Sequence, residues 1–137
     1  MAGIGSRNTR PELTLRSALH RLGFRFRLHP PQLPGKPDIV LPRYRVAVFV
    51  NGCFWHGHGC NIFRWPSTNT EAWKRKIDAN IERDAKVRLL LREQEWRVIT
   101  VWECAMKGKN RLPTSDLEQM LVNGIRSDMA EVDIRGR

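Results

Sequence analysis

Two of the chain's three cysteines and two of its four histidines fall within Cys53-Phe54-Trp55-His56-Gly57-His58-Gly59-Cys60. Thiolates and imidazoles are the ligands that tetrahedral zinc takes most readily. The third cysteine, Cys104, follows the last apolar run and can supply the missing ligand, because strand ends meet in a sheet. A Cys3His site of this kind is closed and therefore structural. The competing reading is three reduced, buried thiols, the usual state of a lone cysteine. Spacing does not choose between His56 and His58 as the ligand. Whichever is left over sits on a fixed polar loop, where it is either a general acid or base near neutral pH or a plain surface histidine.

Asp38 follows Pro37 at the start of an apolar run, and Asn51 ends the next one. A carboxylate at a strand edge in a basic chain is a candidate Mg²⁺ ligand, because Mg²⁺ prefers oxygen and shares phosphate oxygens. The bland alternative is an Asp that merely opens a strand. Glu12 has a good structural reading as the third residue of a capping box. Asn80 and Asp84 lie four apart and share a helix face. They can orient a histidine or a bound water, against the default of a solvated face. Arg16, Arg21, Arg25, Arg27 and the Lys74-Arg75-Lys76 run suit phosphate contacts, which give affinity without sequence reading. Phe54 and Trp55 stand on a loop, where rigid rings can wedge between base pairs. Trp73 can join them, with burial as its default.

The elements that must position these residues are legible. Thr9-Arg10-Pro11-Glu12 caps a helix carrying Leu15, Leu19 and Leu22 up to Gly23. Strands are expected at 24–27, 38–41, 45–50 and 96–102. A second helix is expected from a Thr70 cap, with Trp73, Ile77 and Ile81 on one face, towards Leu91. Ser115-Asp116-Leu117-Glu118 reads as another capping box opening a short last helix. The order α-β-β-β-α-β-α predicts an α/β fold, a mixed sheet flanked by helices. The 137 residues suit one domain, 1–137. The formal charge of +10 concentrates in residues 1–50, which carry nine basic and two acidic side chains. Such a charge points to a polyanion, most simply nucleic acid. The absence of a signal-like or membrane-length apolar run predicts a cytoplasmic protein.

Several segments together resemble the very short patch repair (Vsr) endonucleases. They are Leu33-Pro34-Gly35-Lys36-Pro37-Asp38, Asn51-Gly52-Cys53-Phe54-Trp55-His56, Glu82-Arg83-Asp84, Gln94 to Val98 and Val101-Trp102-Glu103-Cys104, within a match from about Thr9 to Arg111. The resemblance implies a restriction-endonuclease-like αβββαβ core. It also implies a Mg²⁺-dependent enzyme that nicks duplex DNA 5′ of the thymine in a T·G mismatch left by deaminated 5-methylcytosine. Mapped by position, Asp38 is the Mg²⁺ ligand, Val50 lends a main-chain carbonyl, and His56 handles the proton of the attacking water. Zinc falls to Cys53, His58, Cys60 and Cys104. Glu12 gains a place near the active site, Asp84 orients His56, and Phe54, Trp55 and Trp73 are the intercalating rings.

The chain departs from this pattern at Val50-Asn51, where some members have Thr-His. Asn51 cannot act as a comparable acid or base. The stretch before the first helix is short, so the DNA-embracing arm is short or missing. Both departures predict weaker discrimination of sequence context. A broader nuclease, or a non-catalytic zinc module on distorted DNA, are the competing functions. A bacterial monomer is expected, in contact with mismatch-repair proteins.

Overall fold

The alternation of apolar residues along two central strands organises the molecule. A computed structural model describes residues 9–60 and 63–137. Its elements are α1 (Arg10–Arg21), β1 (Arg27–Leu28), β2 (Ile39–Leu41), β3 (Val46–Asn51), α2 (Thr70–Glu93), β4 (Arg97–Trp102), α3 (Thr114–Arg126) and β5 (Glu131–Ile134). The strands form one mixed sheet in the order β1-β2-β3-β4-β5. The pairs β1/β2 and β2/β3 are antiparallel, whereas β3/β4 and β4/β5 are parallel. Parallel neighbours need a crossover, and α2 and α3 supply one each.

Side chains alternate across a strand. Val46 and Val48 of β3 and Ile99 and Val101 of β4 therefore share one face with Leu15 and Leu19 of α1 and Leu121 and Ile125 of α3. Ala47 and Val98 face the other way, onto Leu91 and Val87 of α2. Both faces of the sheet are covered. Among the described residues no helix is long and apolar enough to cross a membrane.

The first helix, β2, β3, α2 and β4 lie where the sequence places them, within a residue or two. The expected strand over 24–27 shrinks to Arg27–Leu28. Gly23 (φ 86°) and Phe24 instead close α1, donating to the carbonyls of His20 and Leu19 at 3.0 Å each. That is the hydrogen-bond pair of a Schellman ending. Phe24 then packs edge-on against Tyr44, with centroids 5.6 Å apart.

Two caps are also displaced. Asn69, left-handed at φ 54°, precedes α2, and the Thr70 hydroxyl donates to the Pro66 carbonyl at 2.8 Å instead of capping. The last helix starts at Thr114 behind Pro113, with no side-chain cap. The acids of the expected box are engaged elsewhere, Asp116 with Arg137 at 2.9 Å and Glu118 with Arg21 at 2.5 Å. The fifth strand, β5, adds an edge that the expected element order lacks.

Candidate active site and metal centre

The thiols of Cys53, Cys60 and Cys104 and the imidazole of His58 converge, each offering one ligand atom within 4.8 Å of the others. His58 Nδ1 lies 3.6 Å from Sγ of Cys53 and 3.6 Å from Sγ of Cys104. Zinc–nitrogen and zinc–sulfur bonds of ~2.0 and ~2.3 Å at a tetrahedral angle put the two ligand atoms ~3.6 Å apart. Burial pushes the Cys53 and Cys104 thiols up, and Cys60 adds to it at both. Burial and Arg135 push the His58 imidazole down, keeping it neutral, as a ligand must be. Three thiols, two of them buried, and one imidazole converging at these distances fit a tetrahedral zinc ion.

The surroundings hold this cluster in shape. Trp102, at the end of β4, stacks on His58 with centroids 4.0 Å apart and planes 9° from parallel. The backbone N–H of Cys53 donates to Glu103 Oε1 at 3.2 Å, and that of Gly136 donates to Cys104 Sγ at 3.3 Å. Trp102 and Glu103 were not singled out by sequence reasoning as supports of the site. Their signal was adjacency to Cys104.

Asp38 stands just before β2, where its Oδ2 accepts from the Val50 N–H of β3 at 2.7 Å. Burial pushes its carboxyl up to about 7. The Val50 N–H and His56 oppose that shift, and nearby Glu12 reinforces it. Glu12 caps only in part: its N–H donates to Thr9 Oγ1 at 3.3 Å, but its side chain turns inward and is 1% exposed. There it pairs with Arg16 and with His29 Nε2, the latter at 2.9 Å. Arg16 therefore faces this cluster, while Arg21, 57% exposed, reaches Glu118 across the surface. Arg25 and Arg27 are exposed. Glu12, His29 and Asp38 form a second group able to hold a metal ion. A cation between two buried carboxylates offsets their repulsion, which suits an oxygen-loving divalent ion. His29 was missed from sequence, where nothing but its chemistry marks it.

His56 lies on the loop between β3 and α2, and its Nδ1 is 2.6 Å from Asp84 Oδ2 on α2. A carboxylate on Nδ1 fixes the tautomer and leaves Nε2 as the basic nitrogen. Asn80, one turn earlier, donates to the Trp55 carbonyl at 2.9 Å. Both α2 residues thus hold the loop, in place of the default solvated face. Phe54, Trp55 and Trp73 touch one another with centroids 5.2–5.6 Å apart. Lys76 Nζ lies 5.4 and 5.7 Å from the Trp55 and Trp73 ring centres. Asn51 ends β3 opposite Trp102 and is buried.

Gly57 lets this loop lie against α2. It is left-handed at φ 63°, and a Cβ there would stand 2.7 Å from Ile81 Cδ1 and 2.8 Å from Ile77 Cγ2. Gly57→Ala is expected to cost about 2 kcal/mol or more, from left-handed strain and overpacking together. A lowered melting temperature with zinc content retained would check it.

The family model "DNA mismatch endonuclease Vsr" matches residues 1–62. The DNA mismatch endonuclease Vsr of Escherichia coli strain K12 is 41% identical over 138 residues, covering 99% of this chain and 88% of that protein. The chain belongs to the Vsr family. Similar too is the type II nicking enzyme V.XorIIP of Xanthomonas oryzae pv. oryzae, 50% identical over 112 residues, 82% of each chain. The type II nicking enzyme V.NmeAIP of Neisseria meningitidis serogroup A is 46% identical over 109 residues, 80% of this chain and 78% of that one. As a Vsr-family protein the chain is a DNA endonuclease, a phosphodiester hydrolase. Its mixed sheet with helices on both faces is the family's restriction-endonuclease-like fold.

Proposed function

We propose that the protein nicks duplex DNA on the 5′ side of the thymine in T·G mismatches, with Mg²⁺ as the catalytic ion, and so starts very short patch repair. One observation carries this reading. The zinc-fitting loop sets His56, Phe54 and Trp55 against Asp84 and Trp73 of α2, beside the carboxylate of Asp38.

In this reading the residues divide the work as follows. Phe54, Trp55 and Trp73 offer rigid apolar rings to a base step, which unstacks most cheaply where pairing is already poor. Lys74, Arg75 and Lys76, exposed on α2, meet the phosphates. Asp38 and the Val50 carbonyl hold the Mg²⁺, which when bound supplies charge stabilisation at the scissile phosphate. His56 Nε2 takes the proton of the attacking water, with Asp84 fixing the ring and Glu12 and Asn51 lining the approach. Cys53, His58, Cys60 and Cys104 hold zinc and keep the loop in place. We read residues 1–137 as one domain acting as a monomer, since a mismatch has no two-fold symmetry to match.

The test is nicking of an end-labelled duplex with one T·G mismatch beside its T·A control, with and without Mg²⁺, zinc retained. One Mg²⁺-dependent break just 5′ of the mismatched thymine, absent from the control, is expected. Equal cutting of both duplexes would instead mean a broader nuclease. Mismatch binding without scission would mean a recognition module.

A further inference from the structure

The Glu12–His29–Asp38 group brings three donors together from three places in the fold. Glu12 comes from the first turn of α1, His29 directly follows β1, and Asp38 directly precedes β2. The β1/β2 register, with Leu28 opposite Ile39, brings His29 beside Asp38, and the His29 N–H donates to the Asp38 carbonyl at 3.1 Å. The His29 side chain is 14% exposed and that of Glu12 1%. All three ligand atoms lie within 4.8 Å of one another.

We propose that His29 is a metal ligand, holding a divalent cation with Glu12 and Asp38 through one imidazole nitrogen and two carboxylate oxygens. This rests on the reading of Asp38 as a cation ligand and adds a nitrogen donor on its Glu12 side. The 2.9 Å between His29 Nε2 and Glu12 Oε2 matches the edge of an octahedron with ~2.1 Å bonds, about 3 Å. Arg16 pairs with Glu12, whereas among the described residues no ion pair is made to Asp38. A buried and a half-buried carboxylate with one guanidinium keep room, in charge, for a further positive group. An imidazole ligand shifts such a site from Mg²⁺ towards first-row transition ions, of which Mn²⁺ also accepts the carboxylate oxygens. The donor set therefore makes this nuclease more responsive to Mn²⁺ than an all-oxygen centre would be.

Mn²⁺ reports on its ligands by electron spin resonance, so zinc-loaded protein is titrated with Mn²⁺ before and after adding the T·G duplex. A ¹⁴N coupling on bound Mn²⁺, altered by ¹⁵N-histidine labelling and lost in His29→Gln, is the expected result. His29→Gln should also weaken Mn²⁺ binding at least tenfold and lower the ratio of Mn²⁺ to Mg²⁺ nicking rates. Melting temperature and zinc content are read on each variant, and the labelled wild-type spectrum needs no variant at all. A wild-type spectrum without nitrogen coupling, with and without duplex, overturns the proposal. So does a coupling that persists in His29→Gln. Asp38→Asn separates the two readings: if it leaves Mn²⁺ binding and nicking intact, the role of Asp38 fails, whatever His29 does.

Discussion

Asp38→Asn is expected to abolish nicking while making the metal-free protein more stable above neutral pH. The loss follows from removing a charged donor at the cation position, where several kcal/mol of charge stabilisation is at stake. At about 1.4 kcal/mol per tenfold, that is roughly a 10³-fold fall in rate. The gain follows from burial. The Asp38 carboxyl is pushed up to about 7 in the folded protein, against an ordinary 3.8. Between those values the folded state holds a proton that the unfolded state has released, so stability falls as pH rises from about 4 to about 7. Asn never ionises, and its side-chain oxygen can still accept the Val50 N–H. The gain at pH 8 is roughly 4 kcal/mol at most, shrinking to nothing near pH 4. Thermal melts of both proteins at pH 4 and pH 8, without Mg²⁺ and with zinc content read on each, would show it. Equal melting at pH 8 would mean that Asp38 is not strained by burial. In the wild type, half-saturating Mg²⁺ should fall as pH rises through 7, because proton and cation compete for one carboxylate.

Stripping zinc is expected to remove recognition and cleavage together, which Asp38→Asn should not do. Without the ion, Cys104 loses its bond through zinc to residues 53–60, and Cys53, His58 and Cys104 revert to buried polar groups. His56 and the three rings ride on or against that loop, so mismatch binding and nicking should each fall by at least a hundredfold. The larger core joins α1 and α3 to the sheet without using the loop. Far-UV circular dichroism should therefore keep most of its amplitude while the melting temperature drops. Cys104→Ala should behave in the same way. If that variant binds a T·G duplex like the wild type, the four-residue cluster is not what sets the loop.

Much of this arrangement was readable from residue types because strong local signals agreed with the global fold. The apolar run ending at Val50 could only be a buried strand, and the α2 pattern was long enough to outweigh uncertainty about its cap. The clustering of the three cysteines was readable because few other roles collect every cysteine of a chain, whereas spacing alone left His56 and His58 open as the fourth member. What failed was chemistry that tertiary partners redirect. The Ser115–Glu118 box lost its Glu118 to Arg21, and Phe24 was consumed by the end of α1. The edge strand Glu131-Val132-Asp133-Ile134 is half acidic and too short for its alternation to stand out. His29 was invisible because a pairing two strands wide, not a motif, brings it to Asp38.

The spacing of the zinc donors also sets an order of assembly. Three of them, Cys53, His58 and Cys60, leave the ribosome well before Cys104, which follows β4. Until then the segment carrying His56 lacks its last anchor, and α2 has no completed sheet to rest on. A chain interrupted anywhere between residues 60 and 104 thus carries Asp38 and His56 but no fixed distance between them. With Asp38 and His56 acting as proposed, cutting power arrives only with the finished sheet.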